Sequence, residues 1–402
     1  QSASARDASG ECKVEDAHAL LQTKRSATDT SSATGAAEDP LVATPSAATL
    51  LGQGQQPFKH KGFEGLTGML CKMRDQQARP ETCTQAFEKV TKKCANGLAK
   101  GRGCFERIGN SKFWTFKADS MDVVHAHLLD LGGCCDYCEV DGTVEATQDS
   151  TCRDLDENDD LWGLDSIDGV KNDNWYCPAA SGSSSQIVVF DTGCNPDHHE
   201  FQTSDGVTRV KGGKSFINAG GRRRRKSGFE AEDGNGHGTH CTGTAAGNTY
   251  GVASGADIYC VKVLDDTGSG SWSGLIAAID WVETNLCSDD GKDQMTKKQC
   301  IATMSLGGSK SPSVNTAVDD MVFLSGIPTM VAAGNNNADA SGYSPASAQR
   351  AITVGASNRN IERAWFSNNG GTIDIYAPGD EILSSFPLSG RGRKKKCNTC
   401  TA

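Results

Sequence analysis

Ile187-Val188-Val189-Phe190-Asp191-Thr192-Gly193 is an uninterrupted apolar run that ends in a carboxylate and a turn. A strand with one wet face would alternate apolar and polar residues, so this one reads as a strand buried on both faces. Residues 257–263, 300–304, 328–332 and 351–354 repeat the pattern. Helical periods separate them. Residues 273–286 place Leu275, Ile279, Val282 and Leu286 on one face, and residues 313–324 read as a second amphipathic helix. Strands alternating with helices predict an α/β fold: a parallel sheet with helices on both faces and functional residues at the carboxyl ends of strands. Asp191, Gly307 and Asn335 each follow such an end.

Asp233-Gly234-Asn235-Gly236-His237-Gly238-Thr239-His240-Cys241 is the second informative stretch. It opens a small-residue helix over 236–247, where Gly243, Ala245 and Ala246 permit close packing. A hydroxyl attacks an amide only if a base removes its proton, and an imidazole base needs a carboxylate on its far side to hold one tautomer. An aspartate ending a buried strand is a rigid mount for that carboxylate. Alone, Asp191-Thr192-Gly193 reads as a strand-end turn and His237 as a structural histidine. Together, in this order and with these flanks, they read as the orienter and the base of nucleophilic catalysis.

The 402 residues leave room for two or three domains. A net charge of −10 gives no global support to nucleic-acid binding. No apolar run reaches the roughly eighteen residues of a membrane-spanning helix. Seventeen cysteines favour an oxidising, secreted setting, and the odd count leaves at least one thiol free or intermolecular. The chain begins at Gln1, so the expectation is a removed leader or a fragment, with a signal peptide left open.

Composition divides the chain into five segments. Residues 1–62 read as a disordered leader or linker, with one short amphipathic stretch at 15–24. Residues 63–110 read as a cysteine-rich helical segment stapled through Cys71, Cys83, Cys94 and Cys104. Residues 111–156 follow, with a strand at 113–116 and a helix at 119–131. Cys134-Cys135-x-x-Cys138 within them reads as disulfide bonding rather than a metal cluster, because paired histidines are lacking. The α/β domain occupies 157–386, after this small α+β region, and a basic tail occupies 387–402. Gly221-Arg222-Arg223-Arg224-Arg225-Lys226 is either a solvated loop insertion or a processing site for a basic-specific protease.

Other stretches carry a resemblance. They are Tyr250-Gly251-Val252-Ala253, Val261-Lys262-Val263-Leu264-Asp265-Asp266, Ser305-Leu306-Gly307-Gly308, Ala332-Ala333-Gly334-Asn335-Asn336-Asn337-Ala338, Tyr343-Ser344-Pro345-Ala346-Ser347 and Thr353-Val354-Gly355-Ala356-Ser357. With Asp191 and His237 they resemble a subtilisin-like serine protease of the proteinase K group, whose catalytic order is Asp, His, Ser.

The resemblance implies roles by position. Asp191 orients the base, His237 is the base, and Asn335 donates its side-chain amide to the oxyanion. Gly268, Ser269 and Gly270 on one side and Ser305, Leu306 and Gly307 on the other clamp an extended peptide as an added strand. Ala332, Ala333 and Gly334 wall an open apolar pocket, which implies broad cleavage after apolar or aromatic residues. Trp272 either floors a second apolar subsite or is a plain helix-start tryptophan. Cys241 matches a free thiol beneath the catalytic histidine. Asp374 matches a position that binds calcium with the carbonyls of Gln349 and Ala351, and the plain alternative is a surface aspartate. Tyr137-Cys138-Glu139-Val140-Asp141-Gly142-Thr143-Val144 resembles the closing strand of a prodomain, an intramolecular chaperone and inhibitor. Trp162-Gly163-Leu164 resembles the family's mature start, so cleavage is expected between 146 and 160. The implied partners are polypeptide substrates and the chain's own prodomain, and the implied state is a secreted monomeric zymogen.

The pattern departs from the family after Ser385. There the family continues to Gly-Thr-Ser-Met-Ala-Thr-Pro on a buried helix; here Gly390-Arg391-Gly392-Arg393-Lys394-Lys395-Lys396-Cys397-Asn398-Thr399-Cys400 follows. The 402 residues are therefore expected to lack peptidase activity. Three alternatives stay open: an incomplete C-terminus, a noncatalytic peptide-binding or inhibitory homologue, and a thiol nucleophile at Cys400.

Overall fold

The computed structural model describes residues 67–74, 83–88, 105–118, 131, 134–146, 151–153, 161–167, 181–217, 228–287, 299–387 and 399–401. The readings for 15–24, 119–130 and the basic run at 222–226 fall outside these residues, as do Cys94 and Cys104.

An N-terminal unit comes first. Strands β1 (Thr67–Met73), β2 (Glu106–Arg107), β3 (Phe113–Ala118) and β4 (Cys135–Val140) form an antiparallel sheet in the order β2-β3-β1-β4. One sheet thus joins the two segments that the sequence reading separates at residue 110. Cys71 lies on a strand, not on the expected helix, although residues 83–88 are helical. The cause is the period-2 pattern of β1. Met69 and Cys71 face a core with Phe87, Phe105, Trp114 and Phe116, while Leu70 faces the α/β domain. Disulfides Cys71–Cys138 and Cys83–Cys134 staple the unit.

The expected closing strand at 137–144 is broken. β4 ends at Val140, and β5 (Thr143–Ala146) starts anew in a different sheet. Asp141 and Gly142 make the break because both are held by another helix, as described below. β6 (Thr151–Arg153) follows, then α1 (Trp162–Ile167).

The α/β domain is built on seven strands. β7 (Ser185–Asp191), β8 (Val210–Ser215), β9 (Asp257–Lys262), β11 (Gln299–Met304), β13 (Thr329–Ala332), β15 (Ile352–Ser357) and β16 (Ile375–Pro378) run parallel in the order β16-β15-β13-β11-β7-β9-β8. Helix α2 (His237–Ala246) covers one face; α3 (Trp272–Trp281) and α4 (Pro312–Phe323) cover the other. On β7, Val188 and Phe190 pack with Leu275, Ile279 and Met321, while Ile187 and Val189 pack with Ile258, Cys260 and Ala246. Each such side chain contributes about 1.5–3 kcal/mol of burial, which is why the strand carries no polar face. Leu70, Ile108, Phe113 and Val144 of the N-terminal unit join the first of these cores.

The expected helix at 273–286 starts one residue earlier and changes character at its end. Val282–Leu286 is a π-helical turn. Thr284 Oγ1 donates to Asp280 O (2.7 Å) and Asn285 Nδ2 to Trp281 O (3.1 Å), so side chains compete for the carbonyls of the last turn. Cys287–Cys300 then ties that turn to β11, and Cys194–Cys260 ties the loop after β7 to β9.

Two short strand sets complete the fold. β10 (Ser269–Ser271), β12 (Leu306–Ser309) and β14 (Tyr343–Ser344) form an antiparallel sheet that includes β5. β17 (Leu383–Ser385) pairs with β18 (Thr399–Thr401), which pairs with β6. Cys400 therefore lies on strand backbone opposite Ser384, not at the head of a helix.

Candidate active site

Asp191 ends β7 and is fully buried. Its Oδ1 accepts from His237 Nδ1 at 2.7 Å and from Thr192 N at 2.6 Å. His237 is the first residue of α2 and is 5% exposed. Burial disfavours its imidazolium, but the Asp191 carboxylate, with Cys241 beside it, outweighs that and holds the ring well above the usual histidine range. Cys241 is a free, half-buried thiol with Sγ 3.8 Å from His237 Nδ1. Among the described residues no serine hydroxyl bonds the His237 ring.

Asp233, which the sequence reading passed over, locks this pair. Its Oδ1 accepts from Thr192 Oγ1, Asn235 N and Gly236 N, and its Oδ2 from Thr239 N and Thr239 Oγ1, all within 2.7–3.0 Å. One carboxylate thus joins the residue after Asp191 to the first turn of α2, where unpaired N–H groups also favour a negative charge. Gly238 lets the two elements touch: a Cβ there would stand 2.0 Å from Gly193 O. An Asp three residues before a Gly-His-Gly is the only signal the sequence offered.

Beside the pair, a segment of the N-terminal unit pairs with the α/β domain. β5 sits between β10 and β12, antiparallel to both. Glu145 pairs with Ser269 and Gly307, Val144 with Gly270, and Ala146 with Leu306. Ala146 N donates to Gly268 O at 2.9 Å. A Cβ on Gly268 would lie 3.5 Å from Ala146 and 3.6 Å from Asn235, so the inserted strand ends next to the loop that carries His237. Val144 is fully buried, whereas Thr143 and Glu145 are exposed. Trp272 is 2% exposed and packs on Gly142 and Gly308. Gly268, Ser269, Gly270, Leu306 and Gly307 are thus brought together around one extended segment.

Two carboxylates of the N-terminal unit anchor that segment at helix N-termini. Glu139 Oε1 accepts from Ser311 Oγ (2.8 Å) and Ser313 N (3.1 Å) at the start of α4. Asp141 accepts from Ser273 N (2.8 Å) and Ser273 Oγ at the start of α3. Trp272 N donates to Gly142 O at 3.0 Å. Burial pushes both carboxyls up, against these hydrogen bonds. A second attachment lies on the same helices: Asn110 N donates to Asp280 (2.9 Å), and Lys112 pairs with Asp320 (2.8 Å).

Ala332 ends β13, and Ala333, Gly334 and Asn335 follow it at the same end of the sheet as Asp191. Asn335 is exposed on this loop. Asn368, also passed over by the sequence reading, is fully buried and holds the loop. Its Oδ1 accepts from Asn336 N and Ala338 N, its Nδ2 donates to Ala333 O, and its backbone N donates to Gly334 O. Asp374 Oδ2 accepts from Thr353 N at 2.8 Å, next to the segment bearing Gln349 and Ala351. A carboxylate with two carbonyls is a hard, all-oxygen donor set and fits calcium in its chemistry.

Comparisons with known proteins show the family. The Subtilase family (Peptidase_S8) matches residues 182–402. A cuticle-degrading serine protease of Arthrobotrys oligospora is 40% identical over 66% of this chain and 60% of its own length. Subtilisin-like protease 2 of Pseudogymnoascus destructans is 42% identical over 65% and 58%. Alkaline protease 2 of Aspergillus fumigatus is 41% identical over 62% and 49%. The chain therefore spans between half and three fifths of the length of these relatives. A solved cold-adapted subtilisin-like serine proteinase is 38% identical, with a TM-score of 0.49 over 56% of this chain and 75% of that one. No helix among the described residues is long and apolar enough to cross a membrane. The parallel sheet flanked by helices is subtilisin-like, and the chain belongs to the subtilase family.

Proposed function

We propose that the chain carries the base and the substrate cleft of a secreted subtilisin-like serine endopeptidase, held shut by its own prodomain. The observation that carries this reading is the buried Asp191–His237 bond beside a cleft whose two edges bind residues 143–146 as a strand. In the reaction His237 takes the proton of a serine hydroxyl and later passes it to the leaving amine. Asp191 keeps Nδ1 protonated, so the other ring nitrogen faces the nucleophile. Asn335 donates to the oxyanion from the loop that Asn368 fixes. Polypeptides bind extended between β10 and β12, and the buried Val144 marks one position where an apolar side chain is taken. The four disulfides among the described residues suit a secreted protein.

A noncatalytic peptide-binding homologue is the second reading, favoured because no hydroxyl among the described residues bonds the His237 ring. One assay separates the two. The 402-residue chain is tested on unstructured protein beside the same chain continued with a family-like Gly-Thr-Ser-Met-Ala-Thr-Pro segment. The first should show no turnover and the second serine-directed turnover. Turnover by the 402 residues that vanishes on His237→Ala overturns the assignment of the missing group, and an inert continued chain favours the noncatalytic reading.

Asp374, Gln349 and Ala351 would hold a calcium ion, which supplies charge to stabilise the fold rather than chemistry. Binding to the folded chain alone raises its stability by mass action. The thermal midpoint should be higher in calcium than in chelator, and Asp374→Ala should abolish the difference. Equal midpoints for the unsubstituted chain remove the site.

Prodomain docking should also depend on pH. Burial raises the carboxyls of Glu139 and Asp141 in the docked state, so docking favours their protonated forms. That contribution is full below the ordinary carboxylate range, near pH 4, and is lost as pH rises through the raised values. Amide exchange of residues 143–146 should therefore quicken, relative to Glu139→Gln/Asp141→Asn, as pH is raised. An opposite trend after correction for intrinsic exchange refutes the sign.

A further inference from the structure

Cys135 is a buried free thiol lodged against a disulfide. Its Sγ lies 3.4 Å from Cys138 Sγ, and the sulfurs of Cys71, Cys135 and Cys138 are all within 4.8 Å of one another. The strand pairing explains the cluster. Cys71 stands opposite Cys138 across β1 and β4, and the register then slips so that Met73 meets Cys135. An ordinary strand would place residues 135 and 138 on opposite faces; the irregularity returns Cys135 to the side of Cys138. Three reduced thiols would suit a soft metal, but two of these are already joined. What the third sulfur is placed to do is exchange.

We propose that Cys71, Cys135 and Cys138 form a thiol–disulfide exchange site that unlocks the unit plugging the cleft. Cys135, as thiolate, attacks Cys138 Sγ; the Cys135–Cys138 bond forms and the Cys71–Cys138 bond breaks. Cys71 leaves as thiolate and takes up the proton that Cys135 gave to water. The step is an isomerisation and needs no oxidant. Its consequence is mechanical. The bond that ties β1 to β4 becomes a bond within β4, and β4 leads through Glu139 and Asp141 directly into the plug. In the closed unit the thiol is silent: burial, reinforced by Asp136 and opposed by Arg74, pushes it up to about 12. Cys135 also donates to Tyr137 O at 3.2 Å. Exchange therefore takes place in a transient opening of the unit and, once made, turns that opening into a lasting one. The consequence for the cleft rests on reading residues 143–146 as its plug.

The test uses the whole 402-residue chain, Cys135→Ser and Cys71→Ser. Each is held at mildly alkaline pH, quenched in acid, alkylated at free thiols and mapped by mass spectrometry. The unsubstituted chain should acquire a fraction with Cys135 joined to Cys138 and the label on Cys71. Cys135→Ser should keep only Cys71–Cys138, and Cys71→Ser should hold Cys135–Cys138. A Cys71→Ser chain labelled at both Cys135 and Cys138, or an unsubstituted chain never labelled at Cys71, overturns the proposal. Amide exchange of residues 143–146 should be at least tenfold faster in the exchanged form than in Cys135→Ser, and equal rates overturn the unlocking. Residues 143–146 already unprotected in Cys135→Ser would instead refute the plug, leaving the sulfur mapping to stand by itself.

Discussion

His237→Ala, in the chain continued with a serine-bearing segment, should lower kcat by roughly a million-fold, the size of the loss measured for the equivalent change in subtilisin itself. The ring has one job that nothing else nearby can do. Its Nδ1 is fixed by Asp191 at 2.7 Å, and both groups are sealed from water. Removing the imidazole leaves the serine hydroxyl at its ordinary, far too high pKa, with no acceptor for its proton. KM should move little, because peptide is held by β10 and β12 rather than by the ring. A loss below about a hundred-fold would mean that another base acts, and Cys241, 3.8 Å from the ring, would be the group to substitute next. Asp191→Asn should cost less, since the histidine would persist in a wrong tautomer instead of disappearing.

The central sheet and the Asp–His pair were legible for physical reasons. β7, β9, β11, β13 and β15 lie inside a sheet covered on both faces, so their sequences could not alternate and the apolar runs stood out. Asp191 and His237 sit on the ends of regular elements, so their positions followed once those elements were read. Asp233 and Asn368 were not legible: Asp233 acts by joining the Thr192 hydroxyl, 41 positions away, to the first turn of α2, Asn368 bonds backbone groups 32 and 35 positions away, and no local pattern records either. β1 was read as helix because its seven residues show alternation only once Leu70 has a second core to enter. The break at Asp141-Gly142 was likewise hidden. Both residues are there for the first turn of α3, more than 130 positions away. Cys135 was grouped with its neighbours as a disulfide cysteine; only the slip in register sets it apart.

Val144→Asp should expel the inserted strand from the cleft. Val144 is fully buried, in van der Waals reach of Gly270 and part of the same core as Leu264 and Leu275. Truncating its contacts forfeits about 1.5–3 kcal/mol of burial. Placing a carboxyl there without a partner adds roughly 2 kcal/mol or more even if the group enters protonated. The backbone pairing to Gly270 cannot offset this, because the same N–H and C=O groups find water once the strand lifts away. A cost of roughly 4 kcal/mol corresponds to about a thousand-fold in the docking equilibrium. Amides of residues 143–146 should lose protection by about that factor, while those of β7 and β11, which belong to the domain's own core, keep theirs. The contrast with Glu145→Asp matters: Glu145 points away from the core, so this change should leave protection almost unaltered. If Val144→Asp leaves the strand protected, the segment is held by Glu139, Asp141 and the Asn110 and Lys112 contacts, and the cleft itself contributes little to binding an extended chain.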